Sequence, residues 1–143
     1  MKAVVVGGGF AGLAAQMPID HILAGEPGEM ADPRAEPCLA GQGWTWDGVD
    51  FAVLYPFQAG LEGNDSSCVL RVATQGASLL VPGDLGQAPE RQLARRGGLT
   101  TPLLVAGHHG SNTSSSREFL AAVTPAWVLY ASGFANRFGF PSA

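Results

Sequence analysis

The sequence predicts an α/β chain of the α+β kind. Short β-branched and apolar runs bounded by turn residues recur along it, and two stretches between them have helical character. Asp47-Gly48 between Gly43 and Tyr55 joins two extended segments, as does Gln75-Gly76-Ala77 between Cys68–Thr74 and Ser78–Pro82, so two hairpins precede the helical part.

Ala3–Val6 is a short β-branched run. Gly7, Gly9 and Gly12 then satisfy G-x-G-x-x-G ahead of an Ala/Leu segment, the order in which a dinucleotide pyrophosphate is cradled on a helix N-terminus. A flavin- or nicotinamide-binding fragment is therefore one alternative, with Glu26 as its ribose-binding acid. Pro18 limits that helix to about two turns, and Pro27-Gly28 end the next element. Ile19–Ala24 is expected as a strand with His21 in a structural role. Residues 25–37, with three prolines, are expected as a mobile loop. Trp44 and Trp46 share one face of the first hairpin by two-residue alternation, which favours packing over chemistry.

Gln87–Arg96 is expected as a helix with Leu85 and Leu93 on its inner side. Arg91, Arg95, Arg96 and Arg117 form a solvated helical surface. Ser115 and Glu118 have capping-box spacing for a second helix that runs to Val123 and stops at Pro125. Trp127–Ala131 is a further apolar strand.

With 143 residues, 46% hydrophobic and 14% charged, the chain has the material for one packed domain. A net charge of −4 without a basic run excludes tight nonspecific nucleic-acid binding by charge alone; a bound metal ion could still supply positive charge to a phosphate. The two cysteines, Cys38 and Cys68, lack C-x-x-C spacing, so half-buried thiols are expected rather than a disulfide or zinc knuckle. No apolar run has the length of a membrane span, and no signal-peptide pattern opens the sequence, so the chain taken alone is expected to be soluble.

The chemistry-bearing stretch is Val81–Ser116. Gly83-Asp84 follows the strand Ser78–Pro82, and His108-His109-Gly110-Ser111 follows the strand Thr101–Ala106. A carboxylate and imidazoles at neighbouring strand ends suit Zn²⁺ or Mn²⁺, which take mixed N and O ligands. The plainer alternatives are a turn at Gly-Asp and a solvated His-His loop.

Asn64-Asp65-Ser66-Ser67, Gly83-Asp84, H-H-G-S at 108–111 followed by Asn112-Thr113-Ser114-Ser115, and S-G-x-x-N-R-F-G at 132–139 occur in that order. Together with Leu39–Trp44 and its hairpin, they resemble the C-terminal metallo-β-lactamase-like domain of ComEC-type competence proteins, which take DNA across the bacterial inner membrane. The likeness runs from about Gly9 to Pro141. It implies an αββα sandwich and metal-dependent phosphodiester hydrolysis. Within it Asp84 would be the metal-bridging, catalytic carboxylate and His108 or His109 a ligand, with Asn64, Asp65, Ser111 and Asn136 orienting substrate or ligands. DNA and the membrane-channel portion of a parent protein are the implied partners, at an inner-membrane location. Two departures follow from the same resemblance. Met1–Gly8 stand where the family carries its first ligand cluster, and Phe140 stands where it carries a histidine. The expectation is one partial sandwich over residues 1–143, with an atypical start at 1–8, an uncovered sheet edge open to self-association, and impaired hydrolysis. A noncatalytic binding or assembly module on the same fold is the second alternative.

Overall fold

The computed structural model describes residues 4–6, 19–30, 32–133 and 136–142. It is a mixed α+β arrangement containing two sheets. The smaller one is parallel, in the order β1 (Val4–Val6), β2 (His21–Ala24), β3 (Ala35–Pro37). The larger has six strands in sequence order: β4 (Gly43–Trp46), β5 (Val49–Tyr55), β6 (Val69–Ala73), β7 (Ser78–Val81), β8 (Leu103–Val105) and β9 (Trp127–Leu129). The first four run antiparallel to one another, and β8 and β9 add in parallel. Each parallel step needs a crossover, provided by α1 (Gln87–Arg96) and α2 (Arg117–Val123).

The expected hairpins form at the expected turns. Asp47 and Gly48 both have positive φ, as a two-residue loop between twisted strands requires. Trp44 lies opposite Phe51 in the register and stacks on it at 5.0 Å, while Trp46 is exposed. Residues 25–37, expected as a loop, instead contain a tight turn at Pro27–Glu29 and the strand β3, because Ala35–Pro37 has an open edge of β2 to pair with. The cap of α2 is one residue later than expected. Ser116, not Ser115, accepts the Phe119 N–H, since Ser115 is in the left-handed region with φ +58°.

Two cores lie on opposite faces of the large sheet. Beneath the helices, Tyr55, Val69, Leu80, Leu85, Leu93, Leu99, Leu104, Phe119 and Val123 pack together. On the other face Leu23 of the small sheet meets Val53, Cys38 and Cys68, with Trp44 and Leu70 alongside. Val53 and Tyr55 would share a face in a regular strand. A bulge between them shifts the register and sends them to opposite cores.

Cys38 and Cys68 form a disulfide with their Cα atoms 6.0 Å apart, contrary to the expected free thiols. Sequence spacing misleads here because β3 and β6 are brought together by the two sheets, placing the residue after β3 beside the residue before β6.

The helices are joined through a buried carboxyl group. Glu90 of α1 is fully buried, and its two carboxylate oxygens accept the N–H groups of Ser115 and Ser116, each at 2.6 Å, at the entry to α2. Ser114 Oγ donates to the Leu85 carbonyl at 2.7 Å, and Gln87 N–H donates to the Thr113 carbonyl, so the segment 112–116 is sewn to the start of α1. Arg91 reaches Glu118 at 3.5 Å, and Arg96 lies over the Phe57 ring at 3.5 Å, which gives the solvated arginine surface local partners.

Burial raises the Glu90 pKa above the ordinary 4.5, against the lowering pull of the Ser116 and Ser115 amides and of Arg91. The folded chain therefore holds this proton more tightly than the unfolded chain does. The stabilising contribution is complete below the unfolded value and is lost as pH rises through the folded one. Glu90→Gln cannot ionise, so its urea stability is expected to gain on the wild type as pH rises from about 4 to about 8; a gap that stays constant sinks this assignment. Glu90→Ala orphans two amide donors and is expected to cost about 3 kcal/mol.

Candidate functional site

The site forms where β7 and β8 end. These strands are parallel neighbours, with Leu79 opposite Leu103 and Leu80 opposite Leu104, so the loops that follow them emerge at the same sheet edge. Gly83, with φ +62°, turns the first loop and presents Asp84. The second loop is the turn Gly107–Gly110, in which His108 and His109 both have positive φ, 48° and 57°. Two consecutive non-glycine residues in the left-handed region are uncommon and cost of order 1–3 kcal/mol each. The His108 N–H donates to the Gly83 carbonyl at 2.9 Å, and Ser111 N–H donates back to the His108 carbonyl at 2.9 Å. The two loops are thus bonded main chain to main chain.

This geometry separates the two histidines. His109 Nε2 lies 3.8 Å from Asp84 Oδ1, and its Nδ1 is 2.8 Å from the Ala131 carbonyl. A carbonyl can only accept, so Nδ1 carries a proton, and in the neutral ring the Nε2 lone pair is left facing the carboxylate. His108 instead places Nδ1 3.3 Å from Thr113 Oγ1 and meets Phe140 edge-on. Phe140 stacks against His109 with centroids 6.5 Å apart.

Asp84 and His109 open onto a cavity of about 590 Å³ between the sheets. Leu70 and Val81 of the large sheet form one wall, Ala24–Glu26, Glu29 and Met30 beyond β2 form another, and Asn64, Ser66, Ser67 and Cys68 close the side. The carboxylates of this lining are those of Glu26, Glu29 and Asp84, and among the described residues it contains no lysine or arginine. Glu26 is held in place. Its Oε1 accepts the Gly63 N–H at 2.7 Å and the Ser66 hydroxyl at 3.0 Å. Gly25 brings its backbone so close that an added Cβ would lie 2.0 Å from the Ser66 carbonyl oxygen. This close approach docks the small sheet onto the Gly63–Ser66 turn.

Of the residues singled out in the sequence, Asp84, His109 and Asn64 line the cavity. The others do different work. Asp65 acts on the Tyr55 phenol, whose pKa is raised by burial first and by this carboxylate second. Ser111 Oγ bonds within its own loop, to Thr113 Oγ1 at 3.0 Å and to the Thr113 N–H at 3.3 Å. Asn136 folds the C-terminal segment: its Oδ1 accepts the N–H groups of Phe138 and Phe140, and its Nδ2 donates to the carbonyls of Gly133 and Phe140. His21 is exposed on β2. The glycines at 7, 9 and 12 lie outside the described residues, and Glu26, the acid assigned to the nucleotide alternative, is engaged by Gly63 and Ser66. Glu29, Met30 and the Ala131 carbonyl carried no sequence signal, since each is brought in by chain reversal.

Among the described residues no three His, Cys, Asp or Glu side chains converge as a metal-binding group. Asp84 and His109 are two suitable donors of the kind Zn²⁺ and Mn²⁺ accept, one short of the three protein ligands that a catalytic zinc takes. The described residues therefore fit part of such a site and not a whole one.

No protein-family model matches the chain. Over 138 residues it is 44% identical to Competence protein ComA of Neisseria gonorrhoeae, covering 94% of this chain and 19% of ComA. It is 38% identical over 105 residues to Recombination protein 2 of Haemophilus influenzae, covering 73% of this chain and 13% of that protein. To ComE operon protein 3 of Bacillus subtilis it is 33% identical over 79 residues, or 54% of this chain and 10% of the relative. The chain is thus related to bacterial competence proteins and spans a fifth or less of the length of these curated relatives. No helix among the described residues is long and apolar enough to cross a membrane.

The Gly25 contact yields a direct test of the cavity wall. Gly25→Ala forces the added methyl into the Ser66 carbonyl and is expected to destabilise by about 1–3 kcal/mol, with faster amide exchange at Gly63–Ser67 than in the wild type. Unchanged exchange there would show that the two walls are not docked in this way.

Proposed function

We propose that this chain is a metallo-β-lactamase-like portion of a DNA-internalisation protein, whose ancestral chemistry is metal-dependent hydrolysis of phosphodiesters. The observation that carries this reading is the pairing of Asp84 with His109 at the mouth of the cavity, on loops that follow adjacent parallel strands, in a chain related to competence proteins. The order of Asn64, Asp84, the H-H-G-S loop and Asn136 supports the same family, and helices on one face of the large sheet with a small sheet on the other are compatible with part of an αββα sandwich.

The roles of this chain's own groups follow from their geometry. The Asp84 carboxylate and the Nε2 lone pair of His109 would hold a Zn²⁺ or Mn²⁺ ion, which when bound supplies positive charge and acidifies a water. The Ala131 carbonyl orients His109 for that task, as outer-shell acceptors do for metal-binding imidazoles. Asn64 offers an amide to a substrate oxygen. Because the carboxylates of the cavity repel a bare phosphodiester, DNA would approach this edge only with a cation in place. Two donors do not complete a catalytic site, and no hydrolytic step through a metal follows from them.

A noncatalytic binding or assembly module is the second reading. It is favoured by that donor count and by Phe140, which lies beside the His109 ring and has no atom able to ligate a metal.

Elemental analysis of chain purified without chelator separates the two histidines and tests the metal. About one Zn or Mn per chain is expected in the wild type and in His108→Ala, and loss of it in Asp84→Ala/His109→Ala. No metal in the wild type, or equal retention in the double variant, overturns the metal assignment. Metal retained without cleavage of DNA would favour the binding module.

A further inference from the structure

We infer that the aromatic segment beside the His-His loop is a base-stacking site, at which Phe138 and Arg137 take an unpaired nucleotide of single-stranded DNA and hold the strand next to Asp84 and His109. The inference rests on the DNA reading proposed above. It adds the form of the nucleic acid and the residues that select it.

Its first support is a stack of rings. Phe140 lies almost parallel to His109, with planes 18° apart and centroids 6.5 Å apart. Phe138 lies almost parallel to Phe140 in turn, at 19° and 5.6 Å. The rings therefore run as one stack from the His109 imidazole to Phe138, which is 63% exposed and packs in neither core. The stack is fixed through the main chain. Asn136 Oδ1 accepts the Phe138 N–H at 3.2 Å and the Phe140 N–H at 3.1 Å, which makes Asn136 a positioning residue for both rings. Ser142 N–H donates to the Gly110 carbonyl at 2.9 Å and pins the segment to the loop that carries the histidines.

The second support is charge. From Thr124 to Ala143 the sequence has no Asp or Glu, and Arg137 is its one charged side chain, in a chain of net charge −4. Arg137 is exposed, and its guanidinium lies 4.7 Å from the centroid of the Phe138 ring. The cavity, by contrast, carries Glu26, Glu29 and Asp84. A polyanion is thus repelled by the cavity and attracted to the aromatic segment.

The third support is the chemistry of the ligand. A phenylalanine ring has no donor or acceptor, so it takes the face of any base regardless of sequence. In a duplex the bases are stacked on one another, and a side chain gains a base only where the strand is unpaired. A base that takes the place of Arg137 on the Phe138 ring frees the guanidinium for the phosphate beside it, a charge-assisted contact. The strand held in this way continues along the stack toward His109.

The test is fluorescence anisotropy of dye-labelled DNA with the whole chain in the presence of Mn²⁺, using phosphorothioate linkages that resist cleavage. Three probes are compared: an oligo-dT strand, the same strand with abasic residues in place of bases, and a blunt duplex. The oligo-dT strand is expected to bind tightest. Phe138→Ala is expected to weaken it about tenfold and to leave the abasic strand unchanged, and Phe138→Trp to restore it. Arg137→Gln is expected to weaken both single strands and to lower the salt slope by about one. Oligo-dT bound equally by wild type and Phe138→Ala, or a duplex bound as tightly as oligo-dT, overturns the stacking site and leaves the metal and DNA reading standing. No binding of any probe by the wild type overturns the DNA reading together with the site. Photocrosslinking of the wild type to an iodouracil-bearing strand, read by peptide mass spectrometry, needs no variant: the adduct is expected on Phe138, and adducts confined to other residues overturn the site.

Discussion

The contact on which the rest of this structure depends is the Glu90 carboxylate between the Ser115 and Ser116 amides. It fixes α1 to the entry of α2, and the loops after β7 and β8 lie at either end of the segments it joins. A carboxylate out of water is costly unless its oxygens are bonded. Both oxygens here have short partners: the amide of Ser116, which α2 leaves unsatisfied at its cap, and the amide of Ser115 just before it. With Leu85 and Gly107 held close by the same stitching through Ser114, the Asp84 and His109 loops meet at one edge.

Much of the large sheet could be read from the chain because its elements are local. The hairpin at Asp47-Gly48 and the helix Gln87–Arg96 depend on neighbours in sequence, and both formed where turn chemistry and composition placed them. The small sheet was less legible. The strand β3 exists because β2 offers a partner edge, a tertiary cause that a proline-rich stretch does not announce. The disulfide was misjudged for the same reason: thirty residues of separation say little once two sheets bring the ends together.

The candidate site shows the same division. Asp84 and the His-His pair could be found as carboxylate and imidazoles at strand ends. That His109 and not His108 is the ring turned toward Asp84 depends on the Ala131 carbonyl, twenty-two residues further along the chain. Ser111 and Asn136 have polar side chains at prominent positions, yet their hydrogen bonds close turns in their own segments. Glu26 was visible as an acid after a strand, but its partners, Gly63 and Ser66, lie on a distant turn.

The bulge between Val53 and Tyr55 has a consequence for how the chain tolerates changes in length. Because the extra residue sets which positions of β5 face which core, deleting it would swap the two sides of half the strand. Lengthening the hairpin at Asp47-Gly48 moves no core residue. Insertions and deletions should therefore accumulate at that tip and be excluded from residues 53–55, a pattern of gaps set by side-chain parity rather than by chemistry.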